Sequence, residues 1–308
     1  MILAVVQAVL LVVGAVVLSV VQRGQDRTLA LTFLLFSGTV VAGVDPLYRA
    51  VDPLLGGRNV LTLVCDVLMA AGTSTLLWGV AKAVGAARPW MRRAVVASCS
   101  VVVVAVVTAF VLLDPVRTTT TFMLAVGAQP LAAVYSIVQT TYLGVALGAT
   151  GLICVLRIRE ARTGPDRVGL WALVAGGVFG VVRMVVVAVM DLAHVAGRVD
   201  VTRALALPYD VTTPGAVLLV ASGMLLLVLG HRLWQSRRTR ALQDALRRLE
   251  PVHARLGTDN EYPDSDDPAT RLSRLIVEVN DGARRHRTPL SPADQAALAE
   301  AEAVLAGT

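Results

Sequence analysis

RVGLWALVAGGVFGVVRMVVVAVM, residues 167–190, decides how the rest of the chain is read. It is long and apolar enough to cross the roughly 30 Å hydrocarbon core of a bilayer as a helix. It also carries one charge, Arg183, well inside the apolar run. A charge in hydrocarbon costs at least ~2.5–3.5 kcal/mol on insertion scales, so it normally faces a partner or a wet cavity.

Six further apolar runs surround this one, at residues 2–22, 29–44, 60–84, 94–113, 130–156 and 214–233. Of the 308 residues, 56% are hydrophobic and 16% charged. Both values depart from the soluble average in the direction of a membrane protein. The expected fold is therefore all-α: a polytopic bundle of seven transmembrane helices over residues 1–234, then a small helical tail over 235–308.

Charge sets the expected orientation. Up to residue 231 there are sixteen basic residues against ten acidic ones; beyond it the counts are equal at twelve. The net charge of +6 thus lies in the bundle, which argues against a nucleic-acid interface. One set of alternate loops holds ten basic residues: Arg23, Arg27, Lys82, Arg88, Arg92, Arg93, Arg157, Arg159, Arg162 and Arg167. The other holds five: Arg49, Arg58, Arg117, Arg198 and Arg203. The positive-inside rule then predicts an outer N-terminus and a cytoplasmic C-terminus. Trp90, Trp171 and Trp234 fall at the cytoplasmic ends, where amphipathic rings settle. The first run lacks a basic leader and a cleavage pattern, which predicts an uncleaved anchor. Val-Asp-Pro-Leu occurs twice, at 44–47 and 51–54, and predicts two short helical turns in an outer loop, each with Asp as N-cap and Pro at N1.

Past Trp234 the character changes. A basic helix leaves the membrane, with Arg237, Arg238 and Arg240 placed to meet anionic lipids. An acidic linker spans 259–267. Asp267-Pro268 starts a helix whose apolar face is Leu272, Leu275, Ile276 and Val279, expected to pack with the other tail helices, on the spans or on a soluble cytoplasmic partner. Ser291-Pro292-Ala293-Asp294 approximates a capping box for a last helix.

The tail also carries a family resemblance. Leu249-Glu250-Pro251, Arg271-Leu272-Ser273-Arg274, Val277-Glu278-Val279-Asn280-Asp281-Gly282 and Arg287-Thr288-Pro289 resemble the C-terminal domain of actinobacterial seven-span membrane proteins. That family is of unknown function and is often catalogued among transporters. The resemblance implies a multi-pass protein of the bacterial plasma membrane. It departs from the family pattern at Val252-His253, where an aromatic residue is usual, and it supplies no catalytic residues to carry over.

The candidate site comes from depth. Arg183 lies eight residues before Asp191, and Asp66 seven residues after Asn59. At 1.5 Å per residue both sit roughly 10–12 Å below the outer boundary. They form a candidate ion pair, serving either as a register pin or as the resting state of a ligand pocket. Tyr135, Gln139 and Tyr142 share one face of the fifth span, with Gln139 near the same depth. Gly176 with Gly180, and Gly144 with Gly148, have the spacing that lets helices approach closely.

Nothing resembles an enzyme's machinery. HExxH, GxSxG, P-loop and kinase signatures are absent, and Cys65, Cys99 and Cys154 have no ligand spacing. No metal or cofactor is expected. Three functions stay open: a receptor-like or regulatory protein coupling an outer-half polar pocket to the tail, a secondary transporter of a small, anionic solute, and a membrane scaffold for a soluble partner.

Overall fold

The computed structural model describes residues 2–21, 27–114, 117–120, 122–160, 164–256, 267–285 and 289–306. Most of the expected acidic linker, Arg23, Arg162 and the Arg287-Thr288 pair lie outside these residues. Among the described residues there are helices and turns and no strand. The helices are α1 (Ile2–Val21), α2 (Thr28–Ala42), α3 (Asp45–Val51), α4 (Val60–Ala83), α5 (Pro89–Leu112), α6 (Phe122–Val126) and α7 (Pro130–Arg157). They continue with α8 (Gly164–Val195), α9 (Val199–Ala204), α10 (Ala206–Leu256), α11 (Pro268–Arg285) and α12 (Pro292–Ala306).

Among the described residues each apolar run of the sequence is helical to within a residue or two of its ends. Five helices are long and apolar enough to cross a membrane: α4, α5, α7 with its 3₁₀ extension, α8 and α10. The count is six if α2 and Asp45–Leu55, bent by 83° at their junction, form one span. α2 has 15 residues, a rise of ~22 Å, which alone falls short of the hydrocarbon core. In α1 the qualifying apolar stretch is the short helix Leu11–Val20.

The bundle is apolar outside and mixed inside. Val101, Val104 and Val111 on α5 are about two-thirds exposed, while Thr32, Ser37, Thr73 and Thr150 are buried. These buried hydroxyls are satisfied by their own helices. Ser37 donates to the Phe33 carbonyl at 2.6 Å, Thr73 to Met69 at 2.9 Å and Thr150 to Ala146 at 2.8 Å. A hydroxyl bonded one turn back costs little where no water is available.

α4 is the central post, packing against α2, α5 and α7, and α7 packs along α8. The main core joins Leu18 of α1, Phe33 and Phe36 of α2, Leu76 and Val80 of α4, Cys154 of α7, Leu173 of α8 and Met224 of α10. The glycines divide α8 between two neighbours. A Cβ on Gly180 would meet Leu147 of α7 at 2.6 Å, and one on Gly177 the Leu147 carbonyl oxygen at 2.8 Å. A Cβ on Gly176 would instead meet Val220 of α10 at 2.7 Å, and Gly169 and Gly223 abut through their backbones. The spacing expected to put Gly176 and Gly180 on one seam is thus corrected: they flank two seams. Gly144 and Gly148 do share the α7–α8 seam, against Met184 and Val181.

Both Val-Asp-Pro-Leu turns are helical, α3 and the 3₁₀ turn Asp52–Leu55, but their aspartates do different jobs. Val44, not Asp45, is the N-cap of α3, and Asp45 is exposed. Asp52 is fully buried and caps a different helix, α4.

The connection 191–213, expected as a loop, is largely helical: α8 runs on to Val195, and α10 starts at Ala206 and continues unbroken for 51 residues. Pro208 sits in the first turn of α10, where a missing N–H is harmless. Pro214 is interior. Just before it, Thr212 and Thr213 donate to the Pro208 and Tyr209 carbonyls at 2.7 and 3.1 Å.

The chain divides into two compact units, Met1–Val228 and Leu229–Thr308. The tail unit has its own core: Leu242, Ala245, Leu246 and Leu249 of α10, Leu272 and Ile276 of α11, and Ala301 of α12. Arg271 reaches Glu250 at 3.0 Å and Arg248 reaches Glu300 at 2.6 Å. Of the coverings expected for the α11 apolar face, packing within the tail is the one seen here. Leu272 and Val279 have no exposed surface, Ile276 is 8% exposed and Leu275 packs against the same core. The stripe is legible from its spacing, but a three-helix core buries it against the chain itself.

Both predicted caps of the tail are present. Asp267 accepts the Thr270 N–H at 3.1 Å and its hydroxyl at 2.6 Å. Ser291 Oγ accepts the Asp294 N–H at 3.1 Å, and Asp294 accepts the Ser291 N–H at 3.3 Å, a reciprocal box. The Thr270 hydroxyl first, then its backbone N–H, holds the Asp267 carboxyl below its ordinary range. The Ser291 hydroxyl first, with Arg255 assisting, does the same for Asp294. A carboxyl depressed in the folded state stabilises above its unfolded pKa, ~3.9, and that contribution is lost as pH falls through the folded value. Amide exchange at the starts of α11 and α12 should therefore be flat from pH 7 to about 5, after correction for intrinsic rates, and rise below about 4. Asp294→Ala should remove the acid-dependent part for α12. An unchanged acid profile in that variant would contradict the capping role.

Candidate functional site

The sequence places Asp66, Arg183 and Gln139 near one level, with Tyr135 and Tyr142 on the same face of the fifth span as Gln139. The structure brings them together in three groups at the end of the bundle where α4 and α7 begin and α8 ends.

The first group is Asp66 on α4 with Tyr135 and Gln139 on α7. The Tyr135 hydroxyl donates to Asp66 Oδ2, and the Gln139 side chain also bonds the carboxylate. Tyr135 is held by an aromatic cluster, its ring 6.1 Å from Phe110 and 6.2 Å from Phe122 between centroids. Packing therefore aims the hydroxyl, and the hydroxyl occupies the carboxylate.

Tyr142 belongs to the second group, two turns further along the same face of α7. Its hydroxyl lies 2.6 Å from Ser74 Oγ on α4. Asp66 to Ser74 is eight residues and Tyr135 to Tyr142 is seven, so α4 and α7 descend side by side in the same direction. The shared face is as the spacing implies, but it forms two contacts at two depths.

Arg183 anchors the third group. Its Nε–H donates to Thr213 Oγ1 on α10 at 3.0 Å, and the guanidinium lies 5.6 Å from the Tyr209 ring centroid. Asp66 and Asp191 are both close enough to feel its charge, yet neither forms an ion pair with it. The expected Asp66–Arg183 salt bridge is thus not a contact in this structure. The reason is competition: Tyr135 and Gln139 satisfy the carboxylate, while Thr213 and the Tyr209 ring hold the guanidinium. Among the described residues, the terminal guanidinium nitrogens take no protein acceptor.

Asp191 was missed as part of this layer because depth counting treats it as the boundary. It accepts a hydrogen bond from Ser136 of α7, and His194 lies one turn on. The His194 ring packs so close to Gly127 that a Cβ there would lie 2.6 Å from Nδ1. Tyr209 and Thr213 were missed because they fall in a stretch read as a loop. A Thr-Thr-Pro sequence at the edge of an apolar run was the available signal.

Over this layer sits a polar cap that orders the chain entry to α4. Asp52 Oδ2 accepts the Asn59 N–H at 3.0 Å and the Thr118 hydroxyl at 2.6 Å, and Oδ1 accepts the Leu61 N–H at 3.0 Å. Asn59 is left-handed at φ 60°, a conformation asparagine tolerates better than most. Its Oδ1 accepts from the Tyr48 hydroxyl at 3.1 Å and the Thr119 N–H at 2.8 Å. Its Nδ2 donates to the Arg117 carbonyl at 3.2 Å. The loop at 117–120 is thereby tied down beside the layer.

The arrangement offers hydroxyl and amide hydrogen-bonding groups, two carboxylates and one guanidinium. Among the described residues no cluster of three or more His, Cys, Asp or Glu could hold a metal ion. No protein-family model matches the chain, and no curated protein matches it either.

Proposed function

We propose that this is a receptor-like or regulatory membrane protein with seven spans, an outer N-terminus and a cytoplasmic tail. It would sit in the bacterial plasma membrane, as its resemblance to the actinobacterial seven-span family implies. Its sensing element is Arg183, which meets an anionic group entering the polar layer.

One observation carries this reading. Both partners of Arg183, Tyr209 and Thr213, lie on α10, and the same helix supplies Leu242, Leu246 and Leu249 to the tail core. An anion that draws the guanidinium off α10 acts on the helix that also builds the tail. The register-pin reading loses support because Asp66 is satisfied without Arg183.

The test uses the full chain in nanodiscs. Arg183→Gln should change amide exchange along α10 near Tyr209 and also in the tail at Leu242, Leu246 and Leu249. A change confined to the neighbourhood of Tyr209 would refute the coupling.

A second reading is secondary transport of a small anion, supported by three ionisable groups within the spans, Asp66, Arg183 and Asp191. Proteoliposomes of the pure protein that accumulate radiolabelled succinate, and lose this on Arg183→Gln, would favour it. The scaffold reading is weakened because its expected docking stripe is internal to the tail. Arg237 and Arg240 are exposed and available to anionic headgroups, whereas Arg238 stacks over Trp234 at 5.2 Å.

A further inference from the structure

The end of the bundle opposite the polar layer holds a cavity of about 820 Å³ between the end of α4 and the start of α5. Its lining is divided. Arg88, Arg92 and Arg93 supply the charged part, and Trp78, Val96 and Ala97 supply apolar wall further along the two helices. Lys82 lies beside it, its Nζ 5.9 Å from the centre of the Trp78 ring.

The charge here is concentrated. From residue 67 to residue 113 the chain contains four cations, Lys82, Arg88, Arg92 and Arg93, and no aspartate or glutamate. Among the described residues none of the three arginines has a hydrogen-bond or ion-pair partner, and all three are exposed. Elsewhere arginines of this chain do find acids, as Arg157 does with Glu160 and Arg248 with Glu300. Three unpaired guanidiniums facing one cavity repel each other and call for an anion.

The apolar wall narrows the class of anion. Val96 and Ala97 lie seven and eight residues into α5 from Pro89, a rise of ~10–12 Å into the span. A soluble anion would use the arginines and leave this wall bare. An amphiphile with a phosphate at one end and a hydrocarbon chain at the other uses both.

We propose that this cavity is a site for one anionic phospholipid, its phosphate held by Arg88, Arg92 and Arg93 and an acyl chain laid along Trp78, Val96 and Ala97. The site rests on the membrane reading of the chain but not on the role of Arg183. Failure to incorporate into nanodiscs would mark failure of the membrane reading, whereas a wrong lipid preference in an incorporated protein bears on the site alone.

The test is native mass spectrometry of the full chain released from nanodiscs of mixed phosphatidylglycerol and phosphatidylcholine. The wild type should retain one phosphatidylglycerol in preference to phosphatidylcholine. Arg88→Gln/Arg92→Gln/Arg93→Gln should lose that preference by about a hundredfold, since each juxtamembrane arginine contributes roughly fivefold. Arg49→Gln/Arg58→Gln, which removes exposed basic residues at the opposite end of the bundle, should keep it. Trp78→Ala should reduce retention while preserving the preference for the anionic headgroup. Should the triple variant not fold, the single Arg92→Gln variant should still show a partial loss. Equal retention of the two lipids by the wild type, or an unchanged preference in the arginine variants, would overturn the site. Displacement of the lipid by millimolar inorganic phosphate would also overturn it, because it would show an anion site indifferent to the hydrocarbon wall.

Discussion

Gly177→Leu should prevent the bundle from assembling. The Cβ of any residue at 177 would lie 2.8 Å from the Leu147 carbonyl oxygen and 3.2 Å from the Gly151 Cα. Both obstacles are backbone, so neither can rotate away, and α7 would have to separate from α8 along their whole seam. Ordinary overpacking costs ~1–3 kcal/mol and sometimes more. A leucine here belongs to the upper end, and even Gly177→Ala should lose more than the ~1 kcal/mol that alanine gains in helix propensity. Gly38→Ala is the matched control, since its Cβ would meet only the Leu68 Cδ1 at an ordinary 3.6 Å. That variant should be neutral or slightly more stable. The measurement is monodisperse yield in detergent, with the unfolding midpoint of whatever folds. A stable, monodisperse Gly177→Leu protein would show that the α7–α8 seam is not this close.

Asp52→Ala should be the most damaging polar substitution at the polar-layer end. It removes the acceptor for three donors at once, the Asn59 and Leu61 N–H groups and the Thr118 hydroxyl. Each buried donor left unpaired costs ~1–3 kcal/mol, and a lost helix cap alone costs up to ~2. A total of roughly 3–5 kcal/mol is expected, since the Thr118 hydroxyl can rotate toward solvent. Asp45→Ala, at the same position of the preceding Val-Asp-Pro-Leu repeat, should change stability by less than ~0.5 kcal/mol because Asp45 is exposed. Amide exchange at Leu61 and Thr119 should accelerate in the first variant and not in the second. Equal effects of the two substitutions would refute the assignment of Asp52 as the cap of α4.

These two aspartates show where sequence reasoning stops. Both occur in an identical four-residue setting, and local propensity correctly makes both turns helical. Only the arrival of Asn59, Leu61 and Thr118 around Asp52 turns one of them into a cap. The same division holds in the tail. The Ser291–Asp294 box and the Asp267 cap were legible because their partners are three residues away. The particular neighbours of Leu272 and Ile276 were not, because those on α10 are some thirty residues away in sequence.

At the polar layer, depth arithmetic found Asp66, Gln139 and Arg183 from the near-constant rise of a helix, and face spacing added Tyr135 and Tyr142. It did not find which of them touch, since that depends on how far each helix is rotated about its own axis. Asp66 turned toward Tyr135, and Arg183 toward Thr213 and Tyr209, on a helix that two prolines had disguised.

By itself, the sequence determined that the chain is helical and where its apolar helices run, because a stretch of some twenty apolar residues and a cap three residues from its partner are local facts. The tertiary structure alone decided which side of α8 meets which neighbour, which aspartate is buried and what Arg183 touches. Those outcomes arise from side chains competing for partners across helices, and periodicity along a single helix carries no record of that competition.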